Sequence, residues 1–137
     1  LNYTSPGLPF LYSGVEYDLN KRLLFFEKDS FPKVKGETYY LLKKLGELKN
    51  TRAALNSGRE AGKYTPIKTS LLEKVLAFER TKEGDTIVFI GNMSGEHIGF
   101  RSPYNGTFKR FKDEKTKRLS YSYEYRMKPW EFWILKN

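Results

Sequence analysis

Two acids stand nearest to chemistry in this sequence. Glu16 follows an apolar run, Leu8–Tyr12, and a small-residue turn, Ser13-Gly14; Asp18 comes two residues later. Loops held by a rigid scaffold are where binding and catalytic side chains collect. Tyr17 and Arg22 share that stretch and join the acids as cleft candidates. His97, the one histidine, lies close to Ser94 and Glu96. Those are the residue types of a hydrolytic triad, but neighbours along a turn do not give the base-to-orienter geometry a triad needs. One histidine without cysteine is a poor ligand set, so no metal site is expected. Trp130, Trp133 and Tyr123 are candidates for stacking on sugar rings, against the ordinary use of such rings in packing. Lys109–Arg118, KRFKDEKTKR, reads as a lysine-rich strand and turn that guards a sheet edge.

The elements that must position these residues change character along the chain. Leu8–Tyr12 is apolar on both faces and reads as a strand covered on both sides, as in a parallel sheet. Parallel strands need neighbours reached through crossovers. Few residues precede this one, so the chain reads as the tail of something larger. Tyr17–Val34 has Asp, Asn, Ser and Pro at intervals and reads as an excursion of short turns, anchored by Leu23-Leu24-Phe25-Phe26. From Gly36 the period is helical. Leu41, Leu45, Leu48 and Leu55 share a face, with Tyr40 and Leu42 beside it, giving a helix from about Glu37 to Asn50 and a last turn to Leu55. Gly46 inside it suggests the close approach of another element.

Beyond Gly58 the period is two. Tyr64–Thr69 is a short strand placed at an edge by its proline. Val75–Arg80 and Thr86–Met93 flank Glu83-Gly84-Asp85 and make a hairpin. Ile98–Phe100, Thr107–Phe111, Leu119–Tyr125 and Trp130–Leu135 are further strands, with turns at Ser94-Gly95, Pro103–Gly106, Asp113–Lys117 and Lys128-Pro129. The alternation LSYSYEY places Leu119, Tyr121, Tyr123 and Tyr125 on one side. Trp130 and Trp133, three apart on one strand, face opposite ways. Short strands at this spacing define a mainly β, antiparallel, Greek-key-like sandwich or barrel.

Composition sets the bounds. The chain has 137 residues, suited to one domain or a small domain plus a remnant. There is no cysteine, so disulfides and thiolate metal sites are excluded, and the compartment stays open. The apolar runs are too short to cross a bilayer. The net charge of +9 admits an anionic partner, but the basic groups are interleaved with acids and apolar residues, and nucleic-acid binding is not expected.

SPGLPFLYSGVE, followed by KRLLFFEKD, resembles the end of the catalytic barrel in glycoside hydrolase family 13, the α-amylase family. The matching positions are Pro6, Gly7, Pro9, Tyr12, Gly14 and Glu16. YYLLKKLGELKNTRAALNSG resembles that family's last barrel helix. VLAFERTKEGDTIVFIGNMS resembles the first hairpin of its C-terminal β-sandwich, and KPWEFWILKN the last strand. The resemblance implies two parts. Residues 1–57 are then the end of a (β/α)8 barrel (strand eight, its loop and helix eight), and residues 58–137 a domain C sandwich. It implies an enzyme acting on α-glucans such as starch and maltooligosaccharides, whose catalytic carboxylates lie upstream of Leu1. Glu16 is then a supporting carboxylate, with Tyr17, Asp18 and Arg22 near the cleft. Val15 departs from the glutamine common before that glutamate. No cofactor is implied for this segment, and any structural calcium belongs to the absent barrel. The partners implied are that barrel and, through it, the glucan. A stand-alone carbohydrate-binding β module is the alternative. Without its neighbours the Leu8–Tyr12 segment is expected to be disordered, to fold back on the helix or to pair with a second copy.

Overall fold

The structure, a computed structural model, describes residues 1–102 and 104–137. Pro103, where the turn at Pro103–Gly106 is expected to start, lies outside the described residues. One helix, α1 (Glu37–Thr51), precedes eight strands: β1 (Lys63–Pro66), β2 (Val75–Lys82), β3 (Asp85–Asn92), β4 (Ile98–Arg101), β5 (Gly106–Arg110), β6 (Thr116–Leu119), β7 (Glu124–Met127) and β8 (Phe132–Lys136). Short 3-10 turns lie at Val15–Tyr17, Ala53–Leu55 and Gly58–Glu60.

All the strand pairs are antiparallel. One sheet has six strands in the order β1-β2-β3-β8-β5-β6, and β4 and β7 form a second. The large sheet buries both faces, and the period of two divides its residues between them. Val75, Ala77, Val88, Ile90, Phe108, Leu119 and Leu135 meet Ile98, Phe100, Tyr125 and Met127 of the small sheet, which makes the sandwich core. Phe78, Ile87, Phe89 and Ile134 on the opposite face meet Leu45 and Leu48 of α1 and the Ala54-Leu55 turn. The central hairpin turns through Glu83 and Gly84, both left-handed at φ 51° and 81°. That is the twist a two-residue loop needs between right-twisted strands. At Gly91 a Cβ would come within 2.9 Å of the Phe89 ring, so the missing side chain lets that ring lie along the strand.

Four expectations are corrected. Leu8–Tyr12 forms no strand. A strand needs a backbone partner, and no described segment pairs with it; Leu8, Phe10 and Tyr12 are left exposed. Leu119–Tyr125 is two strand ends and a turn, not one strand. The Ser120 N–H donates to the Tyr125 hydroxyl (2.7 Å), Tyr123 N–H to the Ser120 carbonyl (3.2 Å) and Ser122 N–H to the Ser120 hydroxyl (3.4 Å). Serine bonding to nearby backbone outcompetes the ladder, and the chain crosses from one sheet to the other. Tyr125 is therefore buried while Tyr121 and Tyr123 are exposed. Trp130 is not in a strand with Trp133: it sits in a turn at φ 58°, and β8 begins at Phe132. Gly46 also has no neighbour within 4 Å of where its Cβ would stand, so it answers to no close approach in this chain.

Candidate functional site

The leading segment and the start of α1 form the first candidate region. Gly14, left-handed at φ 99°, starts the 3-10 turn, and a Cβ there would come within 2.6 Å of Leu19. Glu16 closes the turn on itself: its Oε2 accepts the Gly14 N–H at 2.9 Å. It also lines a groove of about 470 Å³ between this segment and α1, with Tyr12, Tyr39 and Lys43. Tyr17 stacks on Tyr39 with ring centres 6.0 Å apart and tilts against Phe31 at 6.1 Å. Asp18, left-handed at φ 55°, accepts the Thr38 hydroxyl at 2.5 Å, which ties the loop to the first turn of α1. Arg22 is exposed and has no hydrogen-bond or ion-pair partner among the described residues. Glu16, Tyr17 and Asp18 are thus brought together at one end of α1, each engaged in holding the loop, and Arg22 stands apart.

The next loop presents apolar surface. Asp29 accepts Lys21 Nζ (2.7 Å), Leu24 N–H (3.1 Å) and Ser30 N–H (2.7 Å), which pinches the loop shut. The Lys21 bond, first among these effects, holds the Asp29 carboxyl below its ordinary pKa. Phe25 and Phe26, edge-to-face at 4.9 Å, are left 81% and 94% exposed. Leu8 at 85% and Phe10 at 80% in the segment before it are likewise exposed, so both stretches present apolar side chains that the described chain does not cover.

The aromatic candidates divide. Trp133 is half-buried on β8, edge-on to Tyr125 at 6.0 Å, with Lys117 Nζ 4.1 Å above its ring. Its indole N–H donates to Glu131 Oε1 at 2.9 Å. One face is already occupied, so it offers no open platform. Trp130 is 64% exposed in its turn and Tyr123 is 50% exposed beside Tyr125. His97 is exposed, and no hydrogen bond joins it to Ser94 or Glu96 among the described residues; Ser94 instead donates to Asn92 Oδ1 at 2.7 Å. Among the described residues no three His, Cys, Asp or Glu cluster so as to hold a metal ion.

Two buried cations escape a reading for chemistry. Arg80 is fully buried on β2, and Lys49 nearly so at the end of α1. The signal was in VLAFER, where strand alternation puts Arg80 on the same buried face as Phe78. Arg80 donates to the carbonyls of Thr4 (3.3 Å), Asn56 (2.9 Å) and Gly62 (3.2 Å). Lys49 donates to the carbonyls of Gly7 (2.9 Å) and Leu55 (2.8 Å) and to the Ser57 hydroxyl (3.1 Å). Burial, and then the charge of Arg80, lowers the Lys49 pKa.

The architecture is a β-sandwich with a helix laid on the outer face of its larger sheet, preceded by an irregular segment. No protein-family model and no curated protein sequence matches the chain. Solved structures match it in fold. A noncanonic maltogenic α-amylase, AmyB from Thermotoga neapolitana, superposes on 99% of this chain with a TM-score of 0.83 at 18% identity. An α-amylase from Geobacillus thermoleovorans, solved with acarbose, superposes on 98% with a TM-score of 0.70 at 21% identity. The trehalulose synthase MutB from Pseudomonas mesoacidophila covers 72% with a TM-score of 0.54 at 19% identity. The chain spans 34%, 30% and 17% of those proteins respectively. At these identities the likeness is one of fold.

Proposed function

We propose that this chain is the C-terminal part of an α-amylase-family glycosidase acting on α-glucans. Residues 1–57 complete its catalytic barrel, and residues 58–137 form the β domain that stabilises it. The observation that carries this is the superposition of nearly the whole chain, irregular leading segment included, on a third of a maltogenic α-amylase. The exposure of Leu8 and Phe10 supports it, because a strand closing a barrel is apolar on both sides and lacks its partners when alone. Glu16 and Asp18 serve as loop-holding carboxylates in this reading. Retaining hydrolysis needs two carboxyl groups about 5–5.5 Å apart across the scissile bond. These two are instead committed to Gly14 and Thr38. Any structural calcium would be held by barrel residues outside this chain.

The test compares the 137-residue chain with the longer polypeptide that carries it, each incubated with maltoheptaose. The longer protein should release reducing ends and the chain alone should not. Turnover by the chain alone would overturn the inactive-segment reading, and a longer protein inert on every α-glucan would overturn the family reading. The exposure of Trp130 and Tyr123 favours a second reading, a sugar-binding surface on the β domain. Titration with maltoheptaose should then quench tryptophan fluorescence saturably in the chain and not in Trp130→Ala; a flat titration removes it.

A further inference from the structure

We propose that Lys49 and Arg80 form a two-cation clasp that fixes the leading segment against the helix–sheet junction and so sets the path of residues 8–18. Neither cation is in an ion pair with a carboxylate among the described residues. A buried charge without a counter-ion is costly unless its donors are met. Here backbone carbonyls meet most of them: Thr4, Asn56 and Gly62 take the two terminal nitrogens of Arg80, whose Nε is left unpaired among the described residues, and Gly7 and Leu55 take Lys49. All three Lys49 protons are used, and Ser57, having accepted one, donates its own to the Gly7 carbonyl at 2.7 Å. The carbonyls come from two groups far apart in sequence. One is the leading segment, the other the chain from Leu55 to Gly62, so the cations bridge them.

Besides the clasp, the segment is held here by Tyr3, which packs against the core beneath α1, and by few polar ties. Thr4 is wholly buried, and its N–H and hydroxyl both donate to Leu1, at 2.9 and 3.0 Å, within one tight turn. Between Pro6 and Leu11 the other polar tie to the rest of the described chain is Asn2 Nδ2 to the Phe10 carbonyl, at 3.3 Å and exposed. The space around the clasp is tight as well: a Cβ on Gly62 would lie 2.2 Å from the Ala54 carbonyl oxygen. The clasp is thus a positioning device. It ties the start of the segment that carries Glu16 to strand β2 of the sandwich, and it does so whatever covers the exposed apolar side chains outside.

Hydrogen–deuterium exchange of the 137-residue chain tests this with Lys49→Met, which keeps the stem and removes the ammonium. The Thr4 and Ser5 amides, the donors within residues 1–12, should exchange roughly tenfold faster, while β2 and β3 keep their protection. Unchanged exchange at those two amides would overturn the clasp. If Lys49→Met instead speeds exchange everywhere, Ser57→Ala decides, because it removes the hydroxyl bridge to Gly7 and leaves the lysine in place. A rise confined to the Thr4 and Ser5 amides in that variant supports the clasp; no rise, or a uniform one, overturns it.

Discussion

Glu131 shows what a single carboxylate contributes where two sheets meet. Its Oε2 accepts the Lys128 N–H at 2.8 Å and its Oε1 the Trp133 indole N–H at 2.9 Å. Burial alone would raise its pKa, but those bonds and the charges of Lys128 and Lys117 outweigh burial and bring it below the ordinary value. A carboxylate whose folded pKa is lowered stabilises fully above its unfolded value, and that share is lost as the pH falls through the folded one. The loss therefore lies below about pH 4.5, the ordinary glutamate value. Acid unfolding followed by tryptophan fluorescence should show stability falling in that window, and the fall should be shallower in Glu131→Gln. Identical pH profiles would mean that Glu131 contributes no pH-dependent stability. At this scale the sequence was informative about type and not about use. Glu16 and Asp18 were visible as acids after an apolar run, but their bonds to Gly14 and Thr38 depend on left-handed backbone at Gly14 and Asp18. Trp133 was visible as an aromatic; its partner Lys117 comes from a strand sixteen residues earlier in the chain, in a different hairpin.

Elements were legible where local and long-range preferences agree. The hairpin of β2 and β3 has the period, the β-branched residues and the Glu83-Gly84 turn, and its pairing runs in register from Val75↔Asn92 to Lys82↔Asp85. Helix α1 has its leucine stripe, though only Leu45 and Leu48 are buried, while Leu41 and Tyr40 face out. Legibility failed where one signal had two uses. LSYSYEY alternates like a strand, but its serines cap a turn that carries the chain between sheets. Leu8–Tyr12 is apolar like a strand and has no partner to pair with. The two glycines at the helix and its exit separate propensity from packing. Gly46 has open space around it and sits inside α1, so Gly46→Ala should stabilise the chain by about 1 kcal/mol in thermal or urea unfolding. Gly62→Ala should destabilise it by about 1–3 kcal/mol, because the added Cβ meets the Ala54 carbonyl and the backbone must shift. Equal effects of the two substitutions would mean that space at Gly62 is not what the glycine provides. Phe78→Ala, which empties a fully buried position against α1, should cost about 3–5 kcal/mol in the same measurement.

The whole molecule is lopsided. Both faces of the six-stranded sheet are buried, yet Leu8, Phe10, Phe25 and Phe26 on the leading side are at least 80% exposed. Exposed apolar surface of this kind drives association, each fully buried side chain gaining roughly 1.5–3 kcal/mol. The net charge of +9 opposes it, since two copies of a cationic chain repel. The two effects respond differently to salt: screening weakens the repulsion, while burial is untouched by it. The chain alone is therefore expected to self-associate, and to do so more as sodium chloride is raised, in sedimentation velocity across a concentration series. A triple variant, Phe10→Ser with Phe25→Ser and Phe26→Ser, should remain monomeric. It should also unfold within about 0.5 kcal/mol per site of the parent, because side chains this exposed add little to the fold. A parent chain that is monomeric at every salt concentration, or a triple variant that associates as the parent does, would place these apolar side chains outside any association. If the proposed reading holds and the chain is part of a longer enzyme, the same three substitutions in that enzyme should lower stability instead of solubilising.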